Sequence, residues 1–118
     1  RGQRLVESDT ANVRHLATVA AALLRRALDA FARLDTEQAT AVIRDDKELD
    51  HEFKSVIRQV VTYMMEDPRS ISSSIDITTI ARSIERIGDH AKNVAEQVVY
   101  ICEGKDIRYT KLDGEEES

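Results

Sequence analysis

Glu85 and Asp89 stand four residues apart in a stretch whose apolar residues recur every three to four positions: Ile77, Ile80, Ala81, Ile84, Ile87, Ala91, Val94, Val98 and Ile101. That period predicts a helix, and on a helix residues four apart project from one side, one turn from each other. Like charges so placed repel by about 0.2–0.5 kcal/mol unless something positive sits between them. Arg86 and Lys92 can supply that charge. So can a metal ion, for which clustered carboxylate oxygens are hard ligands. Asp46 and Asp50 repeat the pattern upstream. Asp46 shares a wheel position with Ala39, Phe53 and Val60, and Asp50 shares one with Ile43, Ile57 and Met64. Two carboxylates therefore interrupt an apolar seam, the kind of break in patterning that marks a functional or strained site. Gly88 lies inside the same helical stretch as Glu85, where Gly costs roughly 0.5–1 kcal/mol against Ala. Close approach by a neighbouring helix is one reason to keep it.

The elements that must position these acids are few and long. The chain has 118 residues, which suits one domain, and a single Pro and four Gly leave little material for turns. Apolar residues make up 42% and aromatics 4%, so the core must be built from Ile, Val, Leu and Ala. The net charge of −5 speaks against a DNA-binding face. Cys102 is alone, so no intramolecular disulfide forms and a reducing, cytoplasmic setting is expected. No secretory signal is recognisable, and no apolar run approaches the ~20 residues that span a bilayer.

Three helices are expected, over about 3–34, 36–66 and 70–103. The first carries a stripe of Leu16, Val19, Ala20, Leu23, Leu24, Ala27, Leu28, Phe31 and Leu34. Asp35 with Gln38 reads as a capping box, so the second helix starts at Thr36 after a very short turn. Its stripe runs from Ala39 to Met64, with Met64-Met65 read as core and turn packing. Asp67-Pro68 stops it, because Pro disfavours helix in the residue before it. Gly104 reads as the stop of the third helix. Short connections make neighbours antiparallel, so the expected fold is an all-α, up-down-up three-helix bundle over residues 1–104, with a polar, acidic, disordered tail over 105–118.

Heights then matter. Asp50 and Asp46 lie 18 and 22 residues before Pro68, and Glu85 and Asp89 lie 17 and 21 after it. With ~1.5 Å rise per residue in an antiparallel pair, the two acid pairs fall at nearly one level. Four carboxylates on adjacent helices at one level are what a multinuclear metal site needs. On the third helix, however, Glu85 and Asp89 lie roughly 100–140° round from the apolar stripe. The site is expected in a surface groove.

Blander readings exist. Glu85 and Asp89 can be a solvated face balanced by Arg82, Arg86 and Lys92, and Asp46 and Asp50 a polar edge of the stripe. His15, His51 and His90 read as surface residues. An inert helical scaffold is one alternative. Another is a carboxylate-bridged di-metal enzyme, against which stands the lack of the two Glu-x-x-His pairs such bundles carry. No nucleophile-base constellation or Gly-rich phosphate loop is present.

Thr62-Tyr63-Met64-Met65-Glu66-Asp67-Pro68-Arg69, the run from Ala81 to Asn93 around Glu85-Arg86-Ile87-Gly88-Asp89, and Leu28 to Asp35 together resemble the PhoU family of bacterial phosphate-transport accessory proteins. The resemblance covers roughly Leu16 to Arg108 and is to the second of the family's two three-helix repeats. It implies a multinuclear metal cluster of Fe, Mn or Mg, with Asp46, Asp50, Glu85 and Asp89 as ligands and Asn93 as a neighbour. It further implies a non-enzymatic negative regulator of the phosphate-starvation (Pho) regulon. Its partners would be the ATPase subunit of the phosphate ABC transporter and a sensor histidine kinase. A homodimer with peripheral membrane association is expected. Two stretches depart from the family's pattern: Asp76-Ile77-Thr78-Thr79 is less apolar, and Arg108-Tyr109 stands where Arg-His is usual.

Overall fold

The computed structural model describes the backbone of residues 2–117 and the side chains of residues 10–104. Three α-helices follow one another: α1 (Gly2–Arg33), α2 (Thr36–Glu66) and α3 (Ile71–Glu117), with a short 3₁₀ turn at Pro68–Ser70. They run up, down and up, giving a rod of 74 × 21 × 16 Å. Among the described residues, no helix is long and apolar enough to cross a membrane.

The core follows from the stripes. Leu16 and Leu23 of α1, Val42, Leu49 and Val60 of α2, and Val98 of α3 are essentially fully buried. Burying one such side chain is worth roughly 1.5–3 kcal/mol. Between them lie Ala20, Ala27, Ala30, Ala39, Ala81, Ala91 and Ala95, each 0% exposed. These small residues allow the helix axes to approach closely where no large side chain keeps them apart.

Both turns are built from local hydrogen bonds. At the end of α1, Leu34 takes a left-handed backbone (φ 52). Its N–H donates to the Phe31 carbonyl at 3.2 Å, and that of Asp35 to the Ala30 carbonyl at 2.9 Å. This closes α1 with Leu in the place Gly usually takes. Asp35 then caps α2 at once, its carboxylate accepting from the Gln38 N–H at 3.1 Å. One residue serves both helices, which is why the turn is so short. At the other end, the Asp67 N–H donates to the Tyr63 carbonyl, Pro68 opens the 3₁₀ turn, and the buried Ser70 hydroxyl donates to the Asp67 carbonyl at 2.7 Å.

Several expectations need correction. The left-handed φ of Leu34 ends α1 at Arg33. Gly104 does not stop α3, which runs to Glu117. Gly104 has no positive φ and nothing within 4 Å of where a Cβ would stand, so the helix passes through it. The backbone of 105–117 is thus helical, while the tail's side chains lie outside the described residues, as does the Arg108-Tyr109 departure. Met65 is 81% exposed and packs neither core nor turn. Leu28, Phe31, Ile80 and Ile101 belong to the predicted stripes, yet each is more than a third exposed. Three helices of this length cannot cover every apolar position of a broad stripe.

Candidate functional site

The acids meet on the α2–α3 seam, and Gly88 marks the place. A Cβ built there would stand 2.5 Å from Cδ2 of Leu49 and 3.2 Å from Oδ1 of Asp46. Leu49 thus already fills the space a Cβ would need, and the Asp46 carboxylate lies beside it.

Asp46 is buried, at 8% exposure. Its carboxyl is pushed above the usual range, first by burial and then by the Asp89 charge, with Asp50 and Glu96 adding and Lys92 opposing. Burial disfavours the charged form, and nearby anions do the same. Glu85 is half-buried and is also raised, first by burial, then by Asp89 and Asp50, with Arg82 and Lys54 opposing. The same-level pairing from the sequence therefore holds: Asp46 feels Asp89 across the seam, and Glu85 feels Asp50. Asp50 is half-buried and pairs with Lys54 at 3.1 Å. Asp89 is exposed. Asn93 is exposed one turn above it and makes no hydrogen bond among the described residues.

The arrangement is an anionic groove in which burial and the neighbouring carboxylates raise the proton affinity of Asp46 and Glu85. Lys54, Arg82 and Lys92 only partly offset it. Such a groove attracts hard cations, because the donors are all oxygen. The all-oxygen donor set, with Asp46 Oδ1 3.2 Å from where a Gly88 Cβ would stand, suits a hard cation in kind. The fit is not one of finished coordination: among the described residues, no three His, Cys, Asp or Glu side chains are gathered so as to hold a metal ion. A cation would have to draw the carboxylates together.

The other singled-out residues fall outside the groove. His15 sits 3.4 Å from Glu52 at the α1–α2 seam. His51 and His90 are exposed. Glu48 and His51 form one Glu-x-x-His pair, but both are exposed, and α3 has no such pair within its described residues. Arg82 does balance Glu85, whereas Arg86 makes no ion pair among the described residues. Lys54 and Glu96 belong to the groove and were not singled out. Lys54 is four residues beyond Asp50 and Glu96 seven beyond Asp89, spacings that put each on its neighbour's side. An open groove of about 390 Å³ lies elsewhere, between α1 and α2, lined by Asn12, Arg58, Gln59 and Tyr63 among others. Its Asn12 side chain already donates to Gln59 at 3.3 Å.

The chain matches the PhoU domain family over residues 13–98. It is 49% identical over 100 residues to the phosphate-specific transport system accessory protein PhoU homolog of Pseudomonas aeruginosa, covering 85% of this chain and 41% of that protein. It is 46% identical over 91 residues to the phosphate-specific transport system accessory protein PhoU of Escherichia coli K12, covering 77% and 38%. The crystal structure of PhoU from Pseudomonas aeruginosa superposes with a TM-score of 0.75 at 49% identity, over 77% of this chain and 44% of that one. The chain thus spans about two fifths of the length of the curated relatives it matches.

Proposed function

Because the chain belongs to the PhoU domain family, we propose that it is a metal-binding regulatory adaptor of phosphate uptake. The observation that carries the metal part is the cluster beside Gly88, where Asp46 Oδ1 lies against α3 and where burial first, then neighbouring carboxylates including one from the opposite helix, raise both Asp46 and Glu85. In this reading Asp46, Asp50, Glu85 and Asp89 hold hard cations such as Mn, Fe or Mg, and Asn93 lies at the rim. The cations would remove the mutual repulsion and tie α2 to α3. The chain's own residues bind and orient; no catalytic step is assigned to them.

The regulatory part rests on the relatives, which are named as accessory proteins of the phosphate-specific transport system. We propose that the chain represses the phosphate-starvation regulon by linking the ATPase subunit of the phosphate transporter to a sensor histidine kinase in the cytoplasm.

Elemental mass spectrometry tests the first part, on the chain and on a Glu85→Ala/Asp89→Ala variant after reconstitution with Fe, Mn and Mg. Near-stoichiometric metal in the parent and its loss in the variant, with helicity by circular dichroism kept, is the expected result. Absence of metal from the parent would remove the metal reading and leave the adaptor. A phosphate-starvation reporter in a bacterium lacking its own PhoU tests the second part. Failure to restore repression would remove the regulatory reading without touching the metal.

A further inference from the structure

α3 turns two different edges outward. A row of isoleucines, Ile80, Ile87 and Ile101, stands exposed on one. Glu85, Asp89 and Lys92 lie on the other, whose charges act on or lie beside α2. The acidic edge comes with its own cations. Lys54 follows Asp50 by one turn on α2, and its Nζ lies 3.1 Å from Asp50 Oδ2. Its charge also reaches Glu85 on α3. Lys92 follows Asp89 by three residues on α3, and its charge reaches Asp46 on α2. Each helix thus lends one lysine to an acid of the other. The acids are not equally served. Asp50 has an ion pair in contact. Asp46, only 8% exposed, makes no hydrogen bond or ion pair among the described residues. Its Oδ1 is turned toward α3, 3.2 Å from where a Gly88 Cβ would stand. A buried carboxylate without a partner is costly, and Lys92 acting from a distance only lessens that cost.

We propose that Lys54 and Lys92 are tethered counter-ions of the groove, which must swing out before a divalent cation binds, so that the chain sets its own metal affinity by competition. This rests on the metal reading above and names what opposes the metal. Reach and charge agree with it. An ammonium is a compact point charge on a flexible four-carbon stem, so it leaves a carboxylate without disturbing the helix that carries it. The Lys54 side chain is 65% exposed, so it has solvent to swing into. Lys92 is half-buried. An ion pair as exposed as that of Lys54 with Asp50 contributes little, and breaking it costs correspondingly little. The stronger effect is repulsion between the incoming metal and an ammonium that stays nearby. A doubly charged ion and an ammonium about 6 Å apart in water-like surroundings repel enough to weaken binding about tenfold. The groove therefore exchanges one kind of cation for another, and its lysines decide how much metal that exchange requires.

Titration calorimetry with Mn²⁺, on the chain and on Lys54→Met and Lys92→Met, is the first measurement. Met keeps an apolar stem and removes the charge. Each variant should bind about tenfold tighter than the parent. Arg33→Met is the control. It breaks a similar pair, with Asp29 four residues away at 3.3 Å, but on α1 and outside the groove, so it should leave the affinity unchanged. Melting gives a second reading. In chelator both lysine variants should melt about 2–4 °C below the parent, because the acids lose their counter-ions. In Mn²⁺ the order should reverse, because tighter binding adds more stability than the lost pair removes. In the parent, labelling of Lys54 and Lys92 by an amine-reactive ester, read by mass spectrometry, should quicken when Mn²⁺ is added. Equal affinity in the parent and both lysine variants, or an equal gain in Arg33→Met, would overturn the proposal and leave the metal reading intact. So would labelling indifferent to Mn²⁺. Absence of Mn²⁺ binding from all four proteins would overturn both.

Discussion

Gly88 is where the physics is most local. Ala at this position gains roughly 0.5–1 kcal/mol of helix propensity. Its Cβ, however, would meet Leu49 Cδ2 at 2.5 Å, and Leu49 is 2% exposed, so the shift must travel into the core. Overpacking a filled core costs about 1–3 kcal/mol. Gly88→Ala should therefore lower stability by about 1 kcal/mol in urea denaturation, and a gain in stability would show that the seam yields freely. Asp46 allows a sign to be worked out. Its carboxyl is raised by burial and by Asp89, so the folded state holds that proton more tightly than the unfolded chain. Stability then falls as pH rises through the window between the ordinary Asp value and the raised one, and the cost is fully present at neutral pH. Asp46→Asn removes that cost. In chelator, its melting temperature should exceed the parent's at pH 7, and the difference should shrink as pH falls through that window. A constant difference from neutral to acid pH would mean the stabilisation has another source.

At the scale of elements, the α1–α2 turn makes two opposite predictions from adjacent residues. Leu34 holds a left-handed backbone, which costs a non-Gly residue roughly 1–2 kcal/mol. Leu34→Gly removes that strain but loses some apolar contact, for a net gain of about 0.5–1 kcal/mol. Asp35→Ala deletes the cap that accepts the Gln38 N–H, at a cost of about 1 kcal/mol. Thermal scans of the two variants should move in opposite directions; a loss in Leu34→Gly would show that its side chain matters more than its φ. This turn was readable in the sequence because Asp35 and Gln38 carry their signal within four residues. The height of Asp46 against Asp89 was readable too, since helical rise is fixed and Pro68 gives a common origin. What was not readable depends on longer range. Gly104 looks the same in sequence whether it caps a helix or passes through one; its φ decides. Phe31 and Met65 look like core residues, and only the placement of the neighbouring helices leaves them uncovered. Asn93 was carried by family resemblance alone, and it stands exposed above the groove.

For the whole molecule, α3 is the shared member. It packs on both α1 and α2, presents the acidic groove along one edge and the isoleucine row along the other, and its buried stripe lies between them. A cation bound only by the folded chain stabilises it by about 2.7 kcal/mol when present at 100 times its dissociation constant. For a domain of this size, that is a rise in melting temperature of roughly 10 °C. Glu85→Ala/Asp89→Ala should abolish most of this rise with Mn²⁺. Ile80→Glu should keep it in full, because no groove carboxylate lies on its edge of the helix. Scans of the three proteins with and without Mn²⁺ carry the comparison. If Ile80→Glu also loses the rise, the two edges are coupled through α3. If it keeps the rise, α3 is a rigid spine along which the two surfaces act independently.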